Sequence, residues 1–76
     1  MTRPDFTSRL DQARYERRLT RPSAAHKLGV SYGSLRNWEM GVATPQMRYW
    51  PRIEAMFEEP VETLLGPPRE DKAAAA

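Results

Sequence analysis

The stretch "RPSAAHKLGVSYGSLRNWEMG", residues 21–41, decides the fold. Thr20 stands before it as an N-cap, and Arg21, Pro22 and Ser23 form a first turn in which proline costs little. Ala24, Ala25 and Leu28 supply a small apolar face, and Gly29 is a left-handed stop. A helix is therefore expected over 21–28. Ser31 caps the next, from Tyr32 to about Met40, and Gly41 ends it. Only "GVS" separates the two, the spacing of a helix-turn-helix. On the later helix Leu35 and Trp38 lie three apart and pack inward. Tyr32, Gly33, Arg36 and Asn37 lie on the opposite side. Gly33 costs up to about 1 kcal/mol of helix propensity relative to alanine.

Outward from this stretch, Phe6, Leu10 and Ala13 recur at helical spacing, so a first helix is expected over 5–17, capped by Asp5 or Thr7. Downstream, "GVATP" (41–45) reads as a loop. Met47, Trp50, Ile53 and Phe57 follow at helical spacing, with Pro51 starting a fresh turn after a looser segment over 46–50. Met47, Met56, Phe57 and Ile53 read as core. "PVETLLG" (60–66) reads as a last short helix. The expected fold is all-α, five short helices in one domain over residues 1–66, with the helix-turn-helix at about 21–40. Residues 67–76 read as a disordered tail.

With 76 residues the chain allows one small domain, which suits local helix packing. It has no cysteine, hence no disulfide framework or cysteine-based zinc site. No apolar run resembles a signal peptide or reaches the roughly 20 residues of a membrane span. A soluble cytoplasmic protein without cofactor or metal is expected. Residues 1–40 carry eight cationic side chains against four anionic, and residues 41–76 four against six. This asymmetry fits either a basic face for an anionic partner or a mixed solvated surface.

The run "LDQARYERRLTRPSAAHKLGVSYGSLRNWEMG" resembles the lambda repressor/Cro-like (XRE-type) helix-turn-helix family of phage and bacterial regulators. The resemblance extends from about Leu10 to Gly66. It rests on Leu10, Ala13 and Arg14, then Leu19-Thr20, then Ala25 and Leu28 to Ser31. Leu35, Trp38, Glu39, Gly41 and Pro45 continue it, and Ile53, Phe57, Val61 and Leu64 close the core. The chain departs from the family at Arg18, where glycine is usual, and at Arg21-Pro22, where a glutamine usually leads the second helix. It departs again at Ala24, usually larger, and at Pro51.

The resemblance implies a compact lambda-repressor-like DNA-binding domain whose third helix enters the major groove of double-stranded DNA. Arg36 is then placed to bond guanine O6 and N7, and Asn37 adenine N6 and N7. Tyr32 meets a thymine methyl or a phosphate, and Gly33 leaves room for the duplex or a neighbouring helix. Thr20, Arg21, Ser23, Ser31, Ser34, Thr44, Gln46 and Arg48 are the expected phosphate contacts, which position the protein without reading sequence. Arg3 and Arg9 add reach from the N-terminus. The resemblance also implies a largely buried, structural ion pair between Arg14 and Glu39.

No catalytic residue is assigned: His26 follows Ser23 by three, but no triad carboxylate or oxyanion hole accompanies them. Val61, Leu64 and Leu65 are candidate dimer contacts; alternatively Leu64 and Leu65 close the monomer core. The expected function is sequence-specific transcriptional regulation. A homodimeric repressor would occlude a promoter from an inverted-repeat operator, as a phage or mobile-element autorepressor or an antitoxin with a toxin partner. The alternative is a helical protein-interaction module using Tyr32, Tyr49, Trp50 and Met47.

Overall fold

Each of the first three helices begins at a hydroxyl side chain. In the computed structural model, which describes residues 5–69, α1 spans Arg9–Glu16, α2 Arg21–Leu28 and α3 Tyr32–Met40. The side chains of Ser8, Thr20 and Ser31 accept the backbone N–H of Asp11, Ser23 and Ser34 respectively. Each satisfies a donor that the helix itself cannot pair. A 3-10 turn over Met47–Tyr49 leads into α4, Trp50–Phe57, and α5 is the single turn Val61–Leu64. Pro51 sits in the first turn of α4, where its ring breaks no helical bond. The N-terminus of α5 has no side-chain cap of its own, and Glu54 supplies one: its Oε2 accepts the Val61 N–H at 2.9 Å.

The periodicity of Phe6, Leu10 and Ala13 places the start of α1 too early. The helix begins at Arg9, capped by Ser8 and not by Asp5 or Thr7. Thr7 acts from outside it: its N–H donates to Asp11 Oδ2 at 3.1 Å. Phe6 packs instead against Tyr15, with ring centroids 5.2 Å apart.

Among the described residues the architecture is all-α, compact and without strands. Helix α3 packs against α1 and α2, α4 against α2 and α5, and α5 against α1. Leu10, Ala13, Ala24, Ala25, Leu28, Leu35, Trp38, Ile53, Phe57, Val61 and Leu64 form one buried core. Val61 and Leu64 are fully buried in it. Their expected role in a dimer surface is therefore corrected: a side chain with no exposed area inside its own monomer cannot cover a second one. Leu65 is half-buried at the edge of that core. Met47 corrects the opposite way. It was expected in the core and is 73% exposed, because the 3-10 turn directs Tyr49 and Trp50 inward in its place.

Three arginines, among them Arg9, expected to reach out from the N-terminus, work internally. Arg9 is buried, donating through Nη2 to Glu59 Oε1, through Nε to Glu59 Oε2 at 3.1 Å and through Nη1 to Glu16 Oε2 at 3.1 Å. It fastens α1 to the α4–α5 connection; Arg3 lies outside the described residues. Arg17 donates to the Phe57 carbonyl at 2.8 Å and lies over the Phe57 ring. Arg52 donates to the Leu28 carbonyl at 3.0 Å, closing the end of α2. The first part of the expected tail is also held. Gln12 Oε1 accepts the Arg69 N–H at 2.7 Å, and Gln12 Nε2 donates to the Arg69 carbonyl at 2.9 Å. Residues 70–76 of that tail lie outside the described residues.

Arg18 adopts a left-handed backbone at φ +58° just after α1, with its N–H donating to the Tyr15 carbonyl. A side chain in that region costs about 1–2 kcal/mol, while glycine adds about 0.5–1 kcal/mol of unfolded-state entropy. Arg18→Gly is therefore expected to raise stability by about 0.5–1 kcal/mol, a few degrees in Tm by thermal melting. Arg18→Ala, which keeps the strain, is expected to leave Tm nearly unchanged.

Glu59 makes part of the stability depend on pH. Its bond to Arg9 holds the carboxyl below the usual carboxylate range, against the opposing effect of burial. A carboxyl lowered on folding stabilises fully above its unfolded pKa of about 4.3. That contribution fades as pH falls through the lower folded value. Urea unfolding at pH 7 and pH 3 is expected to show Glu59→Gln costing markedly less at pH 3.

Candidate nucleic-acid interface

The end of α3 is fixed by a carboxylate with no exposed surface. Glu39 is fully buried, and each of its oxygens has its own arginine. Arg14 Nε donates to Oε2 at 2.9 Å, and Arg21 Nε donates to Oε1 at 2.7 Å. Arg14 also donates through Nη2 to Asp11 Oδ1 at 2.6 Å and through Nη1 to the Leu19 carbonyl at 2.7 Å. Thr7 Oγ1 donates to the Glu39 backbone carbonyl at 2.9 Å. One buried cluster of two cations and two anions thus joins α1, the start of α2 and the end of α3. Among the described residues no buried side-chain nitrogen or oxygen lacks a partner, as a low-dielectric interior demands.

The pair of Arg14 and Glu39 is present with Arg21 as a third member. Arg21, expected to meet phosphate, also donates its Nε to Glu39, and its side chain is 26% exposed. The bond to Glu39 raises its pKa, and burial opposes this. The signal for Arg21 was faint in the sequence, because a cation in the first turn of a helix opposes the dipole and so calls for a nearby anion. Asp11 had a clearer one: Ser8 and Asp11 have capping-box spacing.

With its base fixed, α3 turns Leu35 and Trp38 into the core and leaves Tyr32, Gly33 and Arg36 exposed, with Asn37 half-buried beside them. Trp38 is wedged by Tyr49, ring centroids 5.8 Å apart. The Asn37 backbone carbonyl accepts the N–H groups of Val42 and Ala43 at 2.9 and 3.3 Å, which turns the chain sharply out of α3. A Cβ added at Gly33 would meet nothing within 4 Å, so the neighbouring helices do not require a glycine there. Gly29 differs: its φ is +76°, and an added Cβ would lie 2.7 Å from Arg52 Nη1.

Four of the expected phosphate contacts converge. Ser34, Thr44, Gln46 and Arg48, with Trp38 and Tyr49, line a shallow depression of about 280 Å³ between α3 and the 3-10 turn. Arg48 stacks over the Tyr49 ring at 4.9 Å and donates to its hydroxyl at 3.1 Å. That stacking limits the freedom of the Arg48 guanidinium, leaving less to lose on binding an anion. Thr20, Arg21 and Ser23 form a separate group at the start of α2. Thr20 and Ser31 serve first as caps, and the Ser31 hydroxyl donates to Ser34 Oγ at 3.0 Å. Leu65, Val61 and Leu64 lie on α5 or just after it, apart from both groups.

The arrangement offers hydrogen-bond donors on the outward side of α3 and a half-restrained arginine on the adjoining 3-10 turn. No helix among the described residues is long and apolar enough to cross a membrane. Comparison with known protein families, with curated proteins and with solved structures gives no match.

Since nothing in the monomer occupies the space at Gly33, Gly33→Ala is expected to raise Tm by an amount equivalent to up to about 1 kcal/mol. If a duplex approaches that point closely, the same variant weakens DNA binding. The two measurements together, thermal melting and DNA affinity, separate a packing role from a contact role.

Proposed function

We propose that this chain is a sequence-specific DNA-binding transcriptional regulator in which α2 and α3 act as a helix-turn-helix of the lambda repressor/Cro-like kind. The observation that carries this reading is the outward face of α3. Tyr32, Gly33, Arg36 and Asn37 share it, beside the depression formed by Ser34, Thr44, Gln46 and Arg48. A major groove admits a helix presenting such groups, and flanking phosphates are met by hydroxyls, amides and arginine. The three-residue link Gly29–Ser31 between α2 and α3 suits this docking. The exposed acidic residues Glu58 and Glu62 follow α4 and lie on α5, not on α3.

Arg36 and Asn37 are assigned to bases. Thr20, Ser23, Ser34, Thr44, Gln46 and Arg48 are assigned to the phosphate backbone, with Arg21 divided between Glu39 and the DNA. Repression by promoter occlusion in a bacterial cytoplasm is the mode proposed. A homodimer on an inverted repeat would need a surface other than Val61 and Leu64. The reading as a protein-interaction module draws on one observation, the exposure of Tyr32 and Met47. Trp50 favours it less, since its indole N–H is spent on the Pro45 carbonyl at 3.0 Å.

Selection of bound sites from a random duplex pool tests the proposal. An enriched motif is expected; an inverted repeat would indicate a symmetric dimer, and a single half-site a monomer. Arg36→Ala and Asn37→Ala are expected to relax individual positions, each by about 1–3 kcal/mol of discrimination. Log affinity is expected to fall by about 0.9 per neutralised phosphate against log salt. No enrichment at low salt would overturn the proposal.

A further inference from the structure

The connection between α3 and α4 is pinned at several points within the monomer. Pro45 is buried, and its carbonyl accepts the Trp50 indole N–H at 3.0 Å. The Tyr49 N–H donates to the Gln46 carbonyl at 2.9 Å and the Trp50 N–H to the Met47 carbonyl, which closes the 3-10 turn. The Tyr49 ring packs on buried Trp38, with centroids 5.8 Å apart. Arg48 is fastened to that ring twice. Its guanidinium carbon lies 4.9 Å from the ring centroid, and Nη2 donates to the phenol oxygen at 3.1 Å. Stacking uses the face of the guanidinium and the bond uses one of its five N–H groups, so four remain in its plane. A neutral phenol both accepts and donates, so Tyr49 keeps its own O–H to give. The other side chains lining the adjoining depression, from Ser34, Trp38, Thr44 and Gln46, are uncharged, so Arg48 sets the sign of its potential.

We propose that Arg48 and Tyr49 grip one backbone phosphate of the duplex together: Tyr49 braces the guanidinium and donates its own O–H to the same phosphate. The inference rests on the DNA-binding reading above and adds Tyr49 to the residues that touch DNA. A phosphate has oxygens for both donors, and such charge-assisted bonds are short and strong. An unbraced arginine loses rotamer freedom when it binds, and the stacked Arg48 has lost part of it already. Because Tyr49 rests on Trp38, which α3 buries in the core, the gripped phosphate takes a fixed place relative to Arg36 and Asn37. The contact therefore sets the register of α3 along the groove while reading no base itself. An apolar protein partner would leave both the phenol O–H and the guanidinium edge unpaired.

The test uses the full chain and the duplex enriched by selection, made as a set in which one phosphate at a time is replaced by an uncharged methylphosphonate. Tyr49→Phe removes only the phenol oxygen and keeps the ring on Trp38, so its Tm is expected to stay unchanged. Its affinity for the unmodified duplex is expected to fall about tenfold, equally for all single-base variants. Its salt slope is expected to hold, since no cation is lost, while Arg48→Ala lowers the slope by about 0.9. The wild type is expected to lose affinity when the gripped phosphate is replaced, and both variants to become insensitive to that same replacement. The double variant is expected to bind no worse than Arg48→Ala alone. Wild-type affinity in Tyr49→Phe, insensitivity of the two variants at different phosphates, or independent effects in the double variant would overturn the inference while DNA reading stands. A change of base preference in Tyr49→Phe would overturn it as well. If the wild-type chain enriches no duplex at all, the DNA-binding reading fails and this inference with it.

Discussion

The structure depends on one buried carboxylate. Glu39 has no exposed surface, and an ionised carboxylate in that position is tolerable only with its oxygens paired. Arg14 and Arg21 pair them from two different helices. The requirement fixes relations that apolar packing leaves loose. It sets the rotation of α3 about its axis, since Glu39 must face inward while Arg36 faces out. It sets the distance of α3 from α1 through Arg14, and the seating of the start of α2 through Arg21. Apolar contacts among Leu10, Leu28, Leu35 and Phe57 hold the helices together, but similar volumes could be filled at more than one register. A directional charge cluster distinguishes those registers.

The same cluster explains why α3 can spare its outward face. A nine-residue helix is marginal by itself in water, and most of its stability has to come from packing. Leu35, Trp38 and Glu39 provide it from one side, with the Ser31 cap and the Asn37 carbonyl closing the ends. Tyr32, Gly33, Arg36 and Asn37 are thereby relieved of structural duty. Residues without a structural duty can be chosen for binding, and Gly33, which nothing in the monomer demands, fits that pattern.

Much of this was legible in the sequence, for identifiable reasons. The α2–α3 unit follows from two hydroxyl caps and two glycine stops, signals that act within four or five residues. Pro51 at the head of α4 was legible for the same reason. What failed was what depends on distant partners. Arg9 looks like a surface cation until Glu59, fifty residues away, is brought beside it. Val61 and Leu64 look like an exposed apolar end until α5 folds back on α1. Met47 fits helical spacing with Trp50, but the 3-10 turn rotates it to the surface. The start of α1 slipped because apolar spacing continues past the cap to Phe6, and only the hydroxyl of Ser8 marks the boundary. At the candidate site, the third helix's face was legible from the inward spacing of Leu35 and Trp38, while the inward bond of Arg21 to Glu39 was not.

In the proposed mode of binding, the ionic cluster around Glu39 presents α3 and the adjoining depression to a duplex. This mode is tested most directly by titrating isotopically labelled protein with a short DNA duplex at low salt and following the amide resonances. The largest changes are expected on Tyr32, Gly33, Ser34, Arg36 and Asn37, and on Thr44, Gln46 and Arg48, with α5 unaffected. Changes confined to α4 and α5, or none with any duplex, would contradict it.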